Sequence, residues 1–388
     1  MEHGALMEST SEAKIKQTFV EKLKERGFFR PYVLLTEALF LLSLLIYVFA
    51  RCFEPFAEFW SRYPAQGIRF ALAKLSGLVH FSVAEWVILS IPLLIAGYFF
   101  FSNRSMKRDE SVGNYFRWLL PLVCGLLAIL IIFMSAFGPC YFRNPLEDNL
   151  GLEKRKVSAE ELYDTAVILA EELNRIKDEV TFGIGGASMM QYDYNTLVCK
   201  INDAYAKYAG SAEYISHFDS KAKPLAVSKF FTYTHISGVY TFMTGEVNIN
   251  VNYPDFIRPF TIAHEFSHQR GIAREDEANF VAYLVCIGSE DAYVRYSGYA
   301  NMLQYVTDAL WAADQELYKK FANKYLPVEV KGEFGAYSLF FEQYRDSTVS
   351  EVTGAVNDAF LGSQGEKEGT ASYGLVVDLA VAYYLHQE

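Results

Sequence analysis

The sequence predicts an α+β fold that is mostly α: three transmembrane helices followed by a larger domain with a small sheet. Three observations predict it. Three apolar runs before residue 140 are each long enough to cross a hydrocarbon core of about 30 Å. The rest of the chain shows helical spacing with recognisable start signals. One segment alternates strictly between apolar and polar residues, as a strand does.

The apolar runs cover Tyr32–Ala50, about 84–102, and 118–137. Pro92 and Pro121 fall inside the second and third, where neighbouring helices can satisfy the freed backbone groups. The first run is too long for a cleavable signal peptide, and no small-residue cleavage site follows it. Basic residues accumulate before the first run (Lys14, Lys16, Lys22, Lys24, Arg26 and Arg30) and between the second and third (Arg104, Lys107, Arg108 and Arg117). That bias predicts a cytoplasmic amino terminus. The chain then divides into a cytoplasmic segment over 1–30, a membrane domain over 31–138, a linker over 139–157 and an extracytoplasmic domain over 158–388. A multi-pass cell-membrane protein is expected, with lipid as a partner. The connection over 53–79 carries Phe56, Phe59, Trp60, Tyr63 and Phe70 and reads as a helical segment lying in the membrane interface; the alternative is that it helps admit a membrane-bound substrate.

A chain of 388 residues with 52% hydrophobic content can bury one or two real cores. Its formal net charge of −11, without a basic stripe or glycine-rich phosphate loop, excludes nucleic acid as the expected partner. The five cysteines contain no CxxC pair, so neither a disulfide framework nor a thiolate metal site is predicted. A Cys199–Cys286 bridge is sterically undetermined by sequence.

Beyond the membrane runs, Ser158-Ala-Glu-Glu161 is a capping box opening a helix that ends near Val180. Further helices are predicted over about 194–209, 298–323, 335–345 and 371–386. From Glu246 to Asn252, Val247, Ile249 and Val251 share one face, and Glu246, Asn248, Asn250 and Asn252 share the other. The Asn face is expected to be solvated, or to border a cleft.

The chemistry-bearing motif follows that strand. A helix expected from about Pro259 carries His264-Glu265-Phe-Ser-His268. Histidines four apart lie on one helical face, so both imidazoles can reach one metal ion, with zinc the expected cofactor. Glu265 can then act as general base on a water activated by that metal. A catalytic zinc normally takes a third protein ligand. Gly271 can end the helix in a left-handed turn, and the next helix opens with Glu275, Asp276 and Glu277. Glu275 is the expected third ligand, because it shares a face with Ala278, Asn279 and Ala282, whose small size permits close packing. Glu277 is the alternative. The ordinary role of such acids is to complement the helix dipole.

The pattern His264-Glu-x-x-His268 followed by Glu275-x-x-Ala278-Asn279 resembles the gluzincin zinc peptidases. The resemblance implies a zincin-like metallopeptidase domain, supports Glu275, and implies that Asn279 orients a ligand histidine. Only six residues separate His268 from Glu275, fewer than is usual in that clan. The turn at Gly271 resembles the metzincins, but their third histidine position is occupied here by Arg274, which is expected to hold a carboxylate in place. Peptidases of these kinds often add an oxyanion donor; Tyr296, Tyr299, His235 and Tyr373 are the candidates. More closely, the whole chain resembles an uncharacterised bacterial family of three-span membrane proteins with a HExxH motif, domain of unknown function 3810. That likeness rests on Phe81-Ser-Val-Ala-Glu85, Thr244-Gly-Glu246, His264 through Phe280, Tyr296-Ser-Gly298-Tyr299 and Ser372-Tyr-Gly374.

The expected activity is therefore membrane-anchored, zinc-dependent peptide-bond hydrolysis, with a peptide or protein substrate. The Glu246–Asn252 strand is the expected docking edge for that substrate. The alternatives are a non-catalytic zinc-stabilised membrane receptor or scaffold, and a zinc hydrolase acting on a cell-envelope amide.

Overall fold

The computed structural model describes residues 19–153, 155–345, 351, 352, 354, 355, 358, 359 and 373–385, for 373 and 374 the backbone alone. The first five long helices are α1 (Pro31–Cys52), α2 (Glu54–Arg62), α3 (Pro64–Ser76), α4 (Val83–Arg108) and α5 (Val112–Ile132). Of these, α1, α4 and α5 are long and apolar enough to cross a membrane, with mean hydropathies of 2.4, 1.9 and 2.7. Most of their side chains are exposed to the surroundings, as lipid-facing residues must be. Pro92 and Pro121 sit inside α4 and α5 without ending them. A π-helical turn, Phe133–Phe137, and a 3-10 turn, Gly138–Phe142, follow α5. The chain is a mostly helical membrane protein.

The residues form two compact units, Met1–Phe49 with Glu85–Ser135, and Ala50–Ala84 with Ala136–Glu388. The second unit thus takes the connection between the first two spans, which was expected to belong with the membrane domain over 31–138. The cause is a stripe along α2 and α3. Ala57, Ser61, Ala65, Arg69 and Ala73 recur every fourth residue, and all five are buried. The expected linker over 139–157 is likewise partly built into this unit, since Pro139, Cys140, Tyr141 and Leu146 are buried.

The second unit continues with α6 (Ala159–Ile176), where Ser158 and Glu161 form both hydrogen bonds of the capping box. Next are α7 (Tyr194–Ala209), α8 (Ile257–Gln269), α9 (Glu275–Ile287) and α10 (Ala292–Ala313). The unit ends with α11 (Gln315–Lys324), α12 (Val328–Phe341) and α13 (Tyr373–Leu385). The single helix expected over 298–323 is two helices, divided at Asp314. That carboxylate accepts hydrogen bonds from the Glu316 and Leu317 N–H groups and caps α11. The expected helix over 335–345 begins instead at Val328, behind Pro327. Residues 371, 372 and 386 of the last expected helix lie outside the described residues.

Two small sheets complete the unit. Strands β1 (Thr181–Phe182) and β2 (Ser188–Met189) pair antiparallel. Strands β3 (Ala222–Pro224), β4 (Gly238–Thr241) and β5 (Glu246–Ile249) form a sheet in the order β3-β5-β4. All four residues of β5 are buried, so its polar face is not solvated. The buried side chains find partners inside the fold: Asn248 donates to Thr241 Oγ1, although its Oδ1 has no hydrogen-bond partner among the described residues, and Glu246 meets Lys223. Asn250, just past the strand, donates to Thr232 Oγ1 and the Ile236 carbonyl. Cys199 and Cys286 are both free thiols.

Candidate metal centre

Helix α8 is held at each end before its motif does anything. At its start, Ser297 of α10 accepts a hydrogen bond from the Phe260 N–H and donates to the Phe256 carbonyl. Along its length, the fully buried Tyr205 of α7 donates its hydroxyl to the Ala263 carbonyl. At its end, the Gly271 N–H reaches the His268 carbonyl and the Ile272 N–H reaches the Ser267 carbonyl, the paired bonds of a Schellman turn. Gly271 takes φ 92°, as such a turn requires. A side-chain carbon there would stand 2.5 Å from Arg69 Nη2, so glycine is needed for space as well.

That turn sets the geometry of the site. It reverses the chain within a few residues and brings the start of α9 back beside the histidines. It also aims the Ile272 carbonyl at His268 Nδ1, 2.8 Å away. A carbonyl can only accept, so Nδ1 carries a proton and Nε2 is the nitrogen left to face a metal ion. His268 Nε2 and His264 Nε2 are 3.0 Å apart. The Glu275 carboxylate oxygens lie 3.2 Å from His264 Nε2 and 3.4 Å from His268 Nε2. All three ligand atoms fall within 4.8 Å of one another. Two imidazole nitrogens and one carboxylate oxygen form the donor set of a catalytic zinc site, which needs a further open position. The Glu275 side chain is 31% exposed, so the group opens to solvent on one side.

The charges match this arrangement. Burial works against a charged carboxylate at Glu275, yet His268 and His264 hold its carboxyl well below the usual range. Burial also works against a charged His268, but Glu275 and Glu265 outweigh it and raise the imidazole to about 9. Glu265 is raised by burial against the opposing pull of both histidines, and it accepts a hydrogen bond from the Tyr240 N–H. Its carboxylate lies under β4: a side-chain carbon on Gly238 would stand 2.8 Å from Glu265 Oε1. The aromatic ring of Phe137 closes another side, edge-on to His268 at 6.2 Å between centroids.

Several expected residues are placed elsewhere. Glu277, the alternative ligand, points away from the histidines, accepting from the Leu146 N–H and from Arg274, each at 3.0 Å. Burial raises it to about 7. Arg274 holds that carboxylate, as expected. Asn279 is buried one turn beyond Glu275, but Ile272 rather than Asn279 orients His268, and His264 Nδ1 has no hydrogen-bond partner among the described residues.

The oxyanion candidates are also accounted for differently. Tyr296 is fully buried and donates to Glu333 Oε2, 3.1 Å away. Tyr299 packs edge-on against Tyr283. His235, at φ 59°, has its Nε2 2.7 Å from the Tyr344 carbonyl and its ring against Phe341. The Tyr373 side chain lies outside the described residues. The Tyr-Ser-Gly-Tyr segment serves the site through packing. Ser297 caps α8, and Gly298 leaves room for Cys286, whose Cβ would be 2.7 Å from a side-chain carbon at 298.

Sequence reasoning missed the residues that clamp the motif from a distance. Arg69 donates to the Gln269 carbonyl (3.0 Å), Ala136 carbonyl (2.6 Å) and Ser61 carbonyl (2.9 Å). Arg143 donates to the Gly271 carbonyl at 3.0 Å while paired with Glu58. The one signal available was an arginine inside a stripe of small residues. The strand expected to receive substrate also changes place: β5 is paired on both sides, and the sheet edge beside Glu265 belongs to β4.

No curated protein and no solved structure matches the chain. A family model described as a protein of unknown function, DUF3810, matches residues 60–381, most of the length and the whole His264–His268–Glu275 cluster, and the chain belongs to that family.

Proposed function

We propose that this protein is a membrane-anchored zinc metallopeptidase. The observation that carries the reading is the convergence of His264, His268 and Glu275 on one solvent-open point, with Glu265 alongside them under a sheet edge. Their nitrogen and oxygen donors suit zinc, which when bound would supply Lewis acidity to an attacking water and to the scissile carbonyl. The Ile272 carbonyl keeps His268 in the tautomer that ligates. Glu265 takes a proton from the water and returns it to the departing amine; its raised proton affinity suits the second half of that task. An extended peptide would lie along β4, whose outer edge pairs with no other strand among the described residues. That edge favours a polypeptide over a compact amide substrate. The Lys and Arg bias of the loops supports an extracytoplasmic location for this unit.

The deciding experiment uses the full-length protein in detergent or vesicles, loaded with zinc, and Glu265→Gln. The variant is expected to keep one zinc per chain and to lose peptide hydrolysis by at least about 100-fold. A variant that binds zinc and cleaves like the parent would refute the mechanism.

A further inference from the structure

The second unit includes both ends of the connection between the first two spans and the end of the third apolar segment. Helix α2 begins at Glu54, directly after α1 ends at Cys52, and α4 begins at Val83. Residues 53–82 therefore have both ends fixed at one bilayer surface. The third apolar segment, Val112–Phe142, contains Phe137, whose ring packs on the metal-site residue His268. At the start of β5, the Glu246 carboxylate accepts from the Val83 and Ala84 N–H groups at 2.9 and 2.8 Å and caps the opening turn of the second span.

The connection itself has the wrong polarity for water. Its inward stripe is made of small residues and Arg69. Its outward residues include large apolar ones: Phe59 is 55% exposed, Tyr63 63%, Leu75 65%, Leu78 78% and Phe81 52%. Large apolar side chains left exposed on a connection between two apolar helices long enough to cross a bilayer are suited to lipid. The opposite side of α3 touches the site. Arg69 caps the end of α8 one residue past His268, and Gly245 of the β4–β5 turn has no room for a side-chain carbon, which would stand 2.7 Å from Ala73 N. About one helix diameter, roughly 10 Å, thus separates the lipid-facing side of α3 from the metal helix.

We infer that the site works at the bilayer surface, on polypeptides that are themselves anchored in the membrane, and cuts them within about six extended residues of where they emerge. This rests on the peptidase reading. A chain leaving the bilayer brings its first extended residues to the β4 edge. A water-borne protein has to reach the same edge with the bilayer beneath it.

Two measurements test this in vesicles of phosphatidylethanolamine and phosphatidylglycerol containing the full-length, zinc-loaded chain. In the first, Cys52 and Cys199 are replaced by Ser, and spin labels are placed at 59, 63 or 78, with one at Lys207 as the aqueous reference. The three connection labels are expected to be relaxed more by oxygen than by a water-soluble nickel complex, and the Lys207 label the reverse. In the second, one cleavable sequence is presented directly after a transmembrane helix, after a thirty-residue spacer, or without an anchor. The juxtamembrane form is expected to be cut at least tenfold faster than the spaced form. Phe59→Asp/Leu78→Asp is expected to abolish that preference while leaving turnover of the unanchored peptide unchanged. Labels that behave like Lys207 overturn the bilayer seating, whatever the activity. Equal cutting of all three reporters overturns the substrate class while leaving the peptidase reading intact. No cutting of any reporter, with lipid-exposed labels, overturns the peptidase reading and the substrate class with it.

Discussion

Gly238 lies against Glu265 so closely that a side-chain carbon at 238 would stand 2.8 Å from Glu265 Oε1 and 2.6 Å from Thr261 Cγ2. The contact joins the edge strand to the acid beside the proposed metal ligands, and only a residue without Cβ allows it. Gly238→Ala must push either β4 or the carboxylate away. The expected outcome is a loss of about 1–3 kcal/mol in stability, typical of overpacking. Zinc content should be unchanged and kcat should fall at least tenfold. Metal analysis, thermal unfolding and peptide turnover on the same preparation check all three.

Proton competition at His268 gives a second prediction. Although burial opposes it, the field of Glu275 raises this imidazole to about 9, so near neutral pH zinc must displace a proton to bind. Apparent zinc affinity should rise about tenfold per pH unit between pH 6 and 8 and level off above about 9. Glu275→Gln removes the field that raises His268, so its affinity should be lower and its pH dependence shallower. In the metal-free protein the sign follows from the raised value. Stability contributed by the His268–Glu275 pair is full between the ordinary carboxylate range near 4.3 and the ordinary histidine range near 6.5, is lost as pH rises through about 9, and falls away in acid as Glu275 takes up a proton. Zinc titration with a competing chelator and thermal unfolding against pH read these separately.

The elements legible in the sequence are those specified by local rules. The spans follow from run length, α6 from its capping box, and the return of Glu275 toward the histidines from Gly271 ending α8. Where the sequence misleads, the missing partner is distant. The alternation of β5 shows a strand but not that both its faces are buried, because the groups that meet Glu246 and the Asn248 amide N–H come from other segments. Tyr296 and Tyr299 have the chemistry of oxyanion donors. Their neighbours Ser297 and Gly298 show that the segment packs α8, and only the fold reveals that contact. The division of the expected 298–323 helix turns on Asp314, whose capping role competes with a continuous helical pattern.

Arg69 is the clearest distant partner and carries the third prediction. Its guanidinium is fully buried and satisfies the carbonyls of Gln269, Ser61 and Ala136. Arg69→Met would leave those acceptors buried without donors and free the end of α8 that fixes His268. A destabilisation of about 3–5 kcal/mol is expected, with weaker zinc binding. Arg69→Lys should recover less than half of the loss, because one ammonium cannot reproduce the planar fork that reaches three carbonyls. Full recovery by lysine in thermal unfolding would show that charge alone matters here.

Lys223 and Glu246 form a buried ion pair, with side-chain exposures of 3% and 0%. Lys223 also donates to the Ser76 and Phe81 carbonyls, and Glu246 caps Val83 and Ala84. The two segments singled out by sequence around Phe81 and Thr244 therefore meet at this carboxylate. Its two partners are unequal. Without Lys223, Glu246 still accepts two backbone N–H groups at a helix start. Without the carboxylate, Lys223 is a buried cation facing only carbonyls. Glu246→Gln should thus cost about 3–5 kcal/mol, and Lys223→Met at least about 1 kcal/mol less. The double variant should be more stable than Glu246→Gln alone, since no charge is then left buried and unpaired. Thermal unfolding of the four proteins closes the cycle. Strictly additive losses would mean that the pair is not coupled, and that Glu246 matters only as the cap of the second span.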